Sequence, residues 1–182
     1  MGNPFEALWN TIKTFVDVEE KSPLNIIEVG DCWQYLTTVQ EFIRYEEIGL
    51  NTTKDDEVKE MLHDALKLCK SQSKRLSDFM IKEGIPLSVV ASPKPDSDNN
   101  DIPLGVKLTD DEIVNGVAFK FVTISQLSSK GQVDAIRNDV AMMWLEYYSE
   151  IVTFGATLRV LMRKRGWLKV PPYYVPPGNP IK

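Results

Sequence analysis

An all-α chain is expected here: a four-helix bundle with one long crossover, a short N-terminal helix before it and a proline-rich C-terminal tail after it. Three features carry that expectation. Apolar residues recur every three or four positions through four long segments, as one face of a helix requires. Cap residues, prolines and glycines fall between those segments rather than within them. The connections read short–long–short, and no segment alternates with the period of two that a half-buried strand needs.

The elements follow in order. Asn3 caps a short first helix, with Pro4 at its first position, Glu6 reaching back, and Leu8, Trp9, Ile12, Phe15 and Val16 on one face. An acidic and polar stretch, Asp17 to Lys21, links it to the bundle. Ser22 and Pro23 repeat the cap signal for the first long helix, which runs to about Gly49 with the stripe Val29, Cys32, Trp33, Leu36, Gln40 and Ile43. Thr52 or Thr53 caps the second long helix, whose stripe is Val58, Leu62, Ala65, Cys69, Leu76 and Phe79. Asp55, Asp56 and Glu57 suit its positive N-terminal dipole, and Gly84 and Pro86 close it. Residues 85–108 form the long crossover, with four prolines and a polar centre. Thr109 and Glu112 make a capping box for the third long helix, which buries Ile113, Val117, Phe121 and Ile124 and breaks at Gly131. The fourth has a seam spaced by threes and fours: Val133, Ile136, Val140, Met143, Tyr147, Ile151, Phe154, Leu158 and Leu161, ended by Gly166. Three units result: residues 1–21 as N-terminal helix and linker, 22–174 as bundle, and 175–182 as extended tail.

Composition narrows the function classes. Hydrophobic residues at 43% and charged residues at 26% are ordinary for a globular chain. The net charge of -5 argues against a nucleic-acid partner. No apolar run is long enough to span a membrane, and the first residues lack a secretory signal's basic start and apolar centre, so a cytoplasmic protein is expected. Arg159, Arg163, Lys164, Arg165 and Lys169 are read as cations at a helix C-terminus, with an acidic docking partner as the alternative.

Bundles with this connectivity include the ferritin-like proteins, which raises the question of a di-metal centre. Such a centre takes a Glu from each of two helices and Glu-x-x-His from each of the other two, all facing inward. Glu60 and His63 have that spacing. At about 100° per residue, however, His63 falls about 130° from the core direction set by Leu62, Ala65 and Cys69. The corresponding stretch of the fourth helix reads Glu146-Tyr147-Tyr148-Ser149, and His63 is the chain's one histidine. No metal ligand, cofactor or catalytic residue is therefore expected. Iron or manganese on Glu60 and His63 stands as the alternative, and Glu47 is the inward-facing candidate on the first long helix.

The remaining candidates concern packing. Cys32 and Cys69 are expected at about the same level of adjacent helices, as two buried thiols, with a redox pair as the alternative. Gly116 and Gly155 inside helices point to close helix approach, or to a ligand slot. Trp167 and Leu168 can fold back on the bundle end, followed by Pro171, Pro172, Tyr173 and Tyr174, and this set is the candidate interaction element.

Lys82-Glu83-Gly84-Ile85-Pro86-Leu87, Arg137-Asn138-Asp139-Val140, and Gly166-Trp167-Leu168 with Pro171-Pro172 resemble a family of unknown function from spore-forming bacilli. That family belongs with the ferritin-like bundles and is similar to spore coat proteins of the coat F type. The resemblance covers roughly residues 22–174. It implies a ferritin-like bundle and association with the spore coat, and it supplies no activity and no catalytic residue. The expected function is thus a non-enzymatic bundle, forming homo-oligomers or binding other proteins. A di-metal oxidase or storage protein and a carrier of small apolar ligands are the alternatives.

Overall fold

The computed structural model describes residues 21–174 and 176–177. The N-terminal helix expected before Lys21, and the tail beyond Tyr174 apart from Pro176 and Pro177, lie outside the described residues. Four long helices make up the bundle: α1 (Ile26–Thr52), α2 (Asp56–Lys82), α3 (Asp110–Asp134) and α4 (Asn138–Arg165). The described residues contain no strand.

Caps set the helix ends, and two differ from expectation. α1 starts after Asn25 rather than at Ser22. Asn25 has a glutamate three residues on, so its side chain accepts from Glu28 N while Glu28 accepts from Asn25 N. Ser22 has no such partner. α2 is capped by Asp55, which accepts from Glu57 N and Val58 N; Thr53 instead donates to Asp110 at the start of α3. Gly84 and Gly166 take positive φ, and Ile85 N and Trp167 N then reach back to Met80 O and Met162 O.

The third correction is at Gly131. It does not end α3, which continues to Asp134. Gly131 is buried under the Trp144 indole, and a Cβ there would stand 2.6 Å from a ring carbon. Gly116 likewise makes room for the Tyr45 hydroxyl. Close approach thus explains Gly131 and Gly116 but not Gly155, whose Cβ position meets nothing within 4 Å. Because α4 begins only at Asn138, the two first seam positions, Val133 (81% exposed) and Ile136 (76%), lie outside the core. Trp33 and Gln40 also leave the stripe: Trp33 is exposed, and Gln40 accepts from Ser88 of the crossover. Tyr35, Val39 and Trp144 take the buried places.

The crossover determines the topology. It runs along the outside of α1, held at Gln40, at Glu47 by Lys94 N, and at Asn51 by Pro95 O and Ser97 N. It delivers α3 to the end where α1 finishes, so α3 runs parallel to α2 and α4 parallel to α1. At the core, Tyr35 stands edge-on to Trp144 at 5.1 Å and stacks on Tyr147 at 5.7 Å. Phe121 stacks on Phe154 at 4.1 Å between α3 and α4.

Each end of the bundle is tied by charge. At one end Glu28 Oε1 accepts from Ile136 N and Arg137 N, both at 2.9 Å. The buried Arg137 guanidinium holds Glu83 at the end of α2, Asp139 at the start of α4, and Ser22 O. Arg137 and Lys21 hold the Asp139 carboxyl well below the usual carboxylate range. At the other end Arg165 binds Asp55 and Glu57, Lys164 binds Glu57, and Lys169 binds Asp111. Three of the five C-terminal cations therefore pair with the acidic first turns of α2 and α3.

Two pairs of substitutions test this packing by urea denaturation. Gly131→Ala should lose about 1–3 kcal/mol by overpacking against Trp144, whereas Gly30→Ala, on an open stretch of α1, should gain about 0.5–1 kcal/mol. Glu28→Ala should cost about 3 kcal/mol, because it strands backbone donors from two helix ends, and Asn25→Ala about 1 kcal/mol.

Candidate functional site

The residues with metal-ligand spacing do not converge. Glu60 and His63 both lie exposed on the outer face of α2. No group of three or more His, Cys, Asp or Glu among the described residues is arranged to hold a metal ion. The residues present do not fit a di-metal centre, since the paired carboxylates and second imidazole such a centre needs have no counterpart around this pair.

The inward carboxylate of α1 is Glu46, not Glu47. Glu47 pairs with Arg44 at 2.8 Å and anchors the crossover, whereas Glu46 is fully buried. Cys69 donates to Glu46 Oε1 at 3.6 Å, and Glu46 Oε2 has no hydrogen-bond partner. Burial pushes the Glu46 carboxyl up to about 8, against the opposing charge of Lys120. Burial also brings the Lys120 ammonium down to about 8, opposed by Glu46. Lys120 Nζ sits 3.5 Å from the Tyr45 ring centre and 4.8 Å from that of Phe42. Periodicity placed Glu46 one position from the expected inward residue, so the register of α1 was the missing signal.

The two cysteines are both free and buried but are not level partners. Cys69 meets Glu46, which lies about 21 Å along α1 from Cys32 at 1.5 Å per residue. Burial pushes the Cys32 thiol up to about 12 and the Cys69 thiol well above its ordinary value, so neither is a ready nucleophile. One turn further along α2, Gln72 accepts from Tyr35 Oη at 2.6 Å and donates to Glu150 at 2.8 Å. Arg75 completes this network by binding Glu146 and Glu150.

The structure divides the tail element in two. Trp167 and Leu168 pack against the bundle end, with Trp167 O accepting from Asn115 and the Arg165 guanidinium over the indole at 5.5 Å. Pro171, Pro172, Tyr173 and Tyr174 stand free of it, the tyrosines 91% and 83% exposed.

Two grooves with apolar lining lie on the outside of the bundle, one of about 220 Å³ between α2 and α4 beside Met61, Phe154 and Leu161, the other between α3 and α4. The second, of about 230 Å³, has Phe121, Ile151, Leu158 and Met162 along it and Leu168 at one end. Gly155 opens its wall and Arg159 stands on its rim. Beyond Ser125 it continues into a more polar trough of about 510 Å³ beside Gln126, Ser129, Lys130 and Tyr148.

This arrangement can be set beside known proteins. The model of a protein family of unknown function, DUF3231, matches residues 14–179. The chain belongs to the DUF3231 family. Within reach of this DUF3231 chain is the uncharacterized protein YvdQ of Bacillus subtilis, 26% identical over 156 residues, covering 86% of this chain and 92% of that protein. A crystal structure of a provisionally designated spore coat protein from Bacillus halodurans superposes with a TM-score of 0.82 at 26% identity, over 85% of this chain and 98% of that one. A DUF305 fragment from Deinococcus radiodurans shares the helical fold alone, at a TM-score of 0.59 and 12% identity over 79% of this chain and 99% of that one. No helix among the described residues is long and apolar enough to cross a membrane.

Glu46 gives the bundle a pH dependence of stated sign. Between its ordinary value of 4.5 and about 8 the folded chain holds a proton on Glu46 that the unfolded chain does not. Stability should therefore fall as pH rises through that window, and recover toward 10.5 as folded Lys120 gives up its proton first. Urea midpoints measured at about pH 5 and about pH 8 should differ less in Glu46→Gln than in the parent chain.

Proposed function

We propose that this DUF3231 protein is a non-enzymatic structural bundle of the spore coat that works by binding another protein, or a second copy of itself, through its C-terminal tail. The observation that carries the reading is the division of the tail. Trp167 and Leu168 fix its root to the bundle, while two prolines hold two adjacent tyrosines out in solvent. Prolines reduce the chain entropy lost on binding, and tyrosines provide large contact area with few rotatable bonds. The likeness to the Bacillus halodurans protein supports the coat as the place where such a tail acts.

Expression of the tagged chain in a sporulating Bacillus tests this. The chain should be recovered with the coat fraction, and joint Tyr173→Ser and Tyr174→Ser replacement should lower that recovery about tenfold or more while leaving the thermal midpoint unchanged. Retention of the parent chain in the soluble mother-cell fraction, or full coat recovery of the double variant, would count against the reading.

A further inference from the structure

Two of the C-terminal cations stay outside the ion pairs that tie the bundle ends. Arg159 and Arg163 are exposed one turn apart on α4, while Lys164, Arg165 and Lys169 take the ion pairs at that end. Two acids stand in the same condition. Glu60 and Asp64 are exposed one turn apart on α2 and rim the α2–α4 groove, beside half-buried Phe154 and Leu161. None of the four has an ion-pair partner among the described residues. We propose that a second copy of this chain docks its α4 antiparallel to α2, with Arg163 on Glu60 and Arg159 on Asp64, so that copies join through two different faces.

Three observations favour a second copy as the occupant. The first is spacing. Val152, Ala156, Arg159 and Arg163 are exposed at intervals of four, three and four on one face of α4, and Glu60, Asp64, Lys67 and Ser71 have the same intervals on one face of α2. Run antiparallel, the two sets register throughout: Lys67 meets the small Ala156, and no like charges oppose. The second is polarity. Antiparallel docking sets the acidic start of α2 beside the basic end of α4, as both helix dipoles favour. The same two helices already meet this way inside one copy, where Glu57 binds Lys164 and Arg165. The third is height. Within a copy Glu57 meets Arg165 and Gln72 meets Glu150, so Glu60 and Asp64 stand level with positions 162 and 158 of their own α4. Pairing them with Arg163 and Arg159 therefore displaces the neighbour by one residue, about 1.5 Å along the bundle. Two bundles so placed lie side by side with parallel axes. Beside the arginines, the exposed positions of α3 between Ile113 and Ser129 are Phe119 (73%), Val122 (53%), Gln126 and Ser129, with no charge among them, so apolar surface accompanies the ion pairs. The contact is heterologous. Each copy offers its arginines to one neighbour and its acids to another, so assembly passes beyond a dimer.

Sedimentation velocity of the full-length chain tests the proposal. At low ionic strength the parent chain should form species larger than a dimer, which dissociate as salt is raised to about 0.5 M. Glu60→Arg with Asp64→Arg, and separately Arg159→Glu with Arg163→Glu, should each weaken self-association about tenfold or more. An equimolar mixture of the two variants should associate again, although both remain net negative, because each supplies the charge the other lacks. All four substitutions in one chain should restore assembly as well, which separates lost complementarity from lost folding. A parent chain that stays monomeric at millimolar concentration, oligomers untouched by either double variant, or a mixture that stays monomeric would overturn it. Every variant keeps the tail tyrosines and no readout involves the coat, so failure here is separable from failure of the proposed function.

Discussion

Two side chains at one end hold the bundle's helix ends together. Glu28 is almost wholly buried, yet its carboxylate is fully engaged. One oxygen accepts from the backbone and side chain of Asn25, closing the cap of α1, and the other accepts the two amides at the α3–α4 turn. Four donors satisfy one buried charge, which is the condition under which such burial is tolerated. Arg137 then carries the tie from that turn to the end of α2 and the start of α4. α4 has no side-chain bond from its cap residue; Glu28 of α1 holds the two amides just before it, and Asp139 accepts from Val140 N.

The interior polar groups act in the same way along the bundle's length. Gln72 accepts from Tyr35 of α1 and donates to Glu150 and the Tyr147 carbonyl of α4. Glu46 finds its partner on α2, with Lys120 of α3 as the nearby opposing charge. A shift of either helix by one residue would break these contacts while leaving much of the apolar core able to repack. Apolar burial supplies the drive to assemble, and the polar contacts favour one register among several.

Most of the fold was legible in the sequence because its signals are local. Capping boxes, terminal glycines and proline boundaries act over four residues, and they located four helices and the long crossover. The misreadings have a common cause. Gly131 resembles a breaker in sequence, and only the neighbouring indole of Trp144 shows it to be a packing notch. Ser22 and Thr53 have the right chemistry for caps, but Asn25 with Glu28 forms the box that starts α1, and Asp55 caps α2 while the Thr53 hydroxyl donates to the distant Asp110. Glu46 was missed because its burial depends on how α1 is rotated against two other helices. The outward placement of Glu60 and His63 could be read from helical angle alone, since both share an element with a clear apolar stripe. The external groove was not legible, because a surface shared by α3 and α4 belongs to neither periodicity.

The crossover also shapes the route by which this chain reaches its fold. α1 with α2, and α3 with α4, are hairpins closed by connections of a few residues, so each can zip up from nearby contacts. Joining them requires closing the longer loop, whose entropic cost grows only slowly with length. The slow event is then the meeting of two half-formed halves, and the Glu28 contacts to Ile136 and Arg137, more than a hundred positions apart in sequence, report that it has occurred.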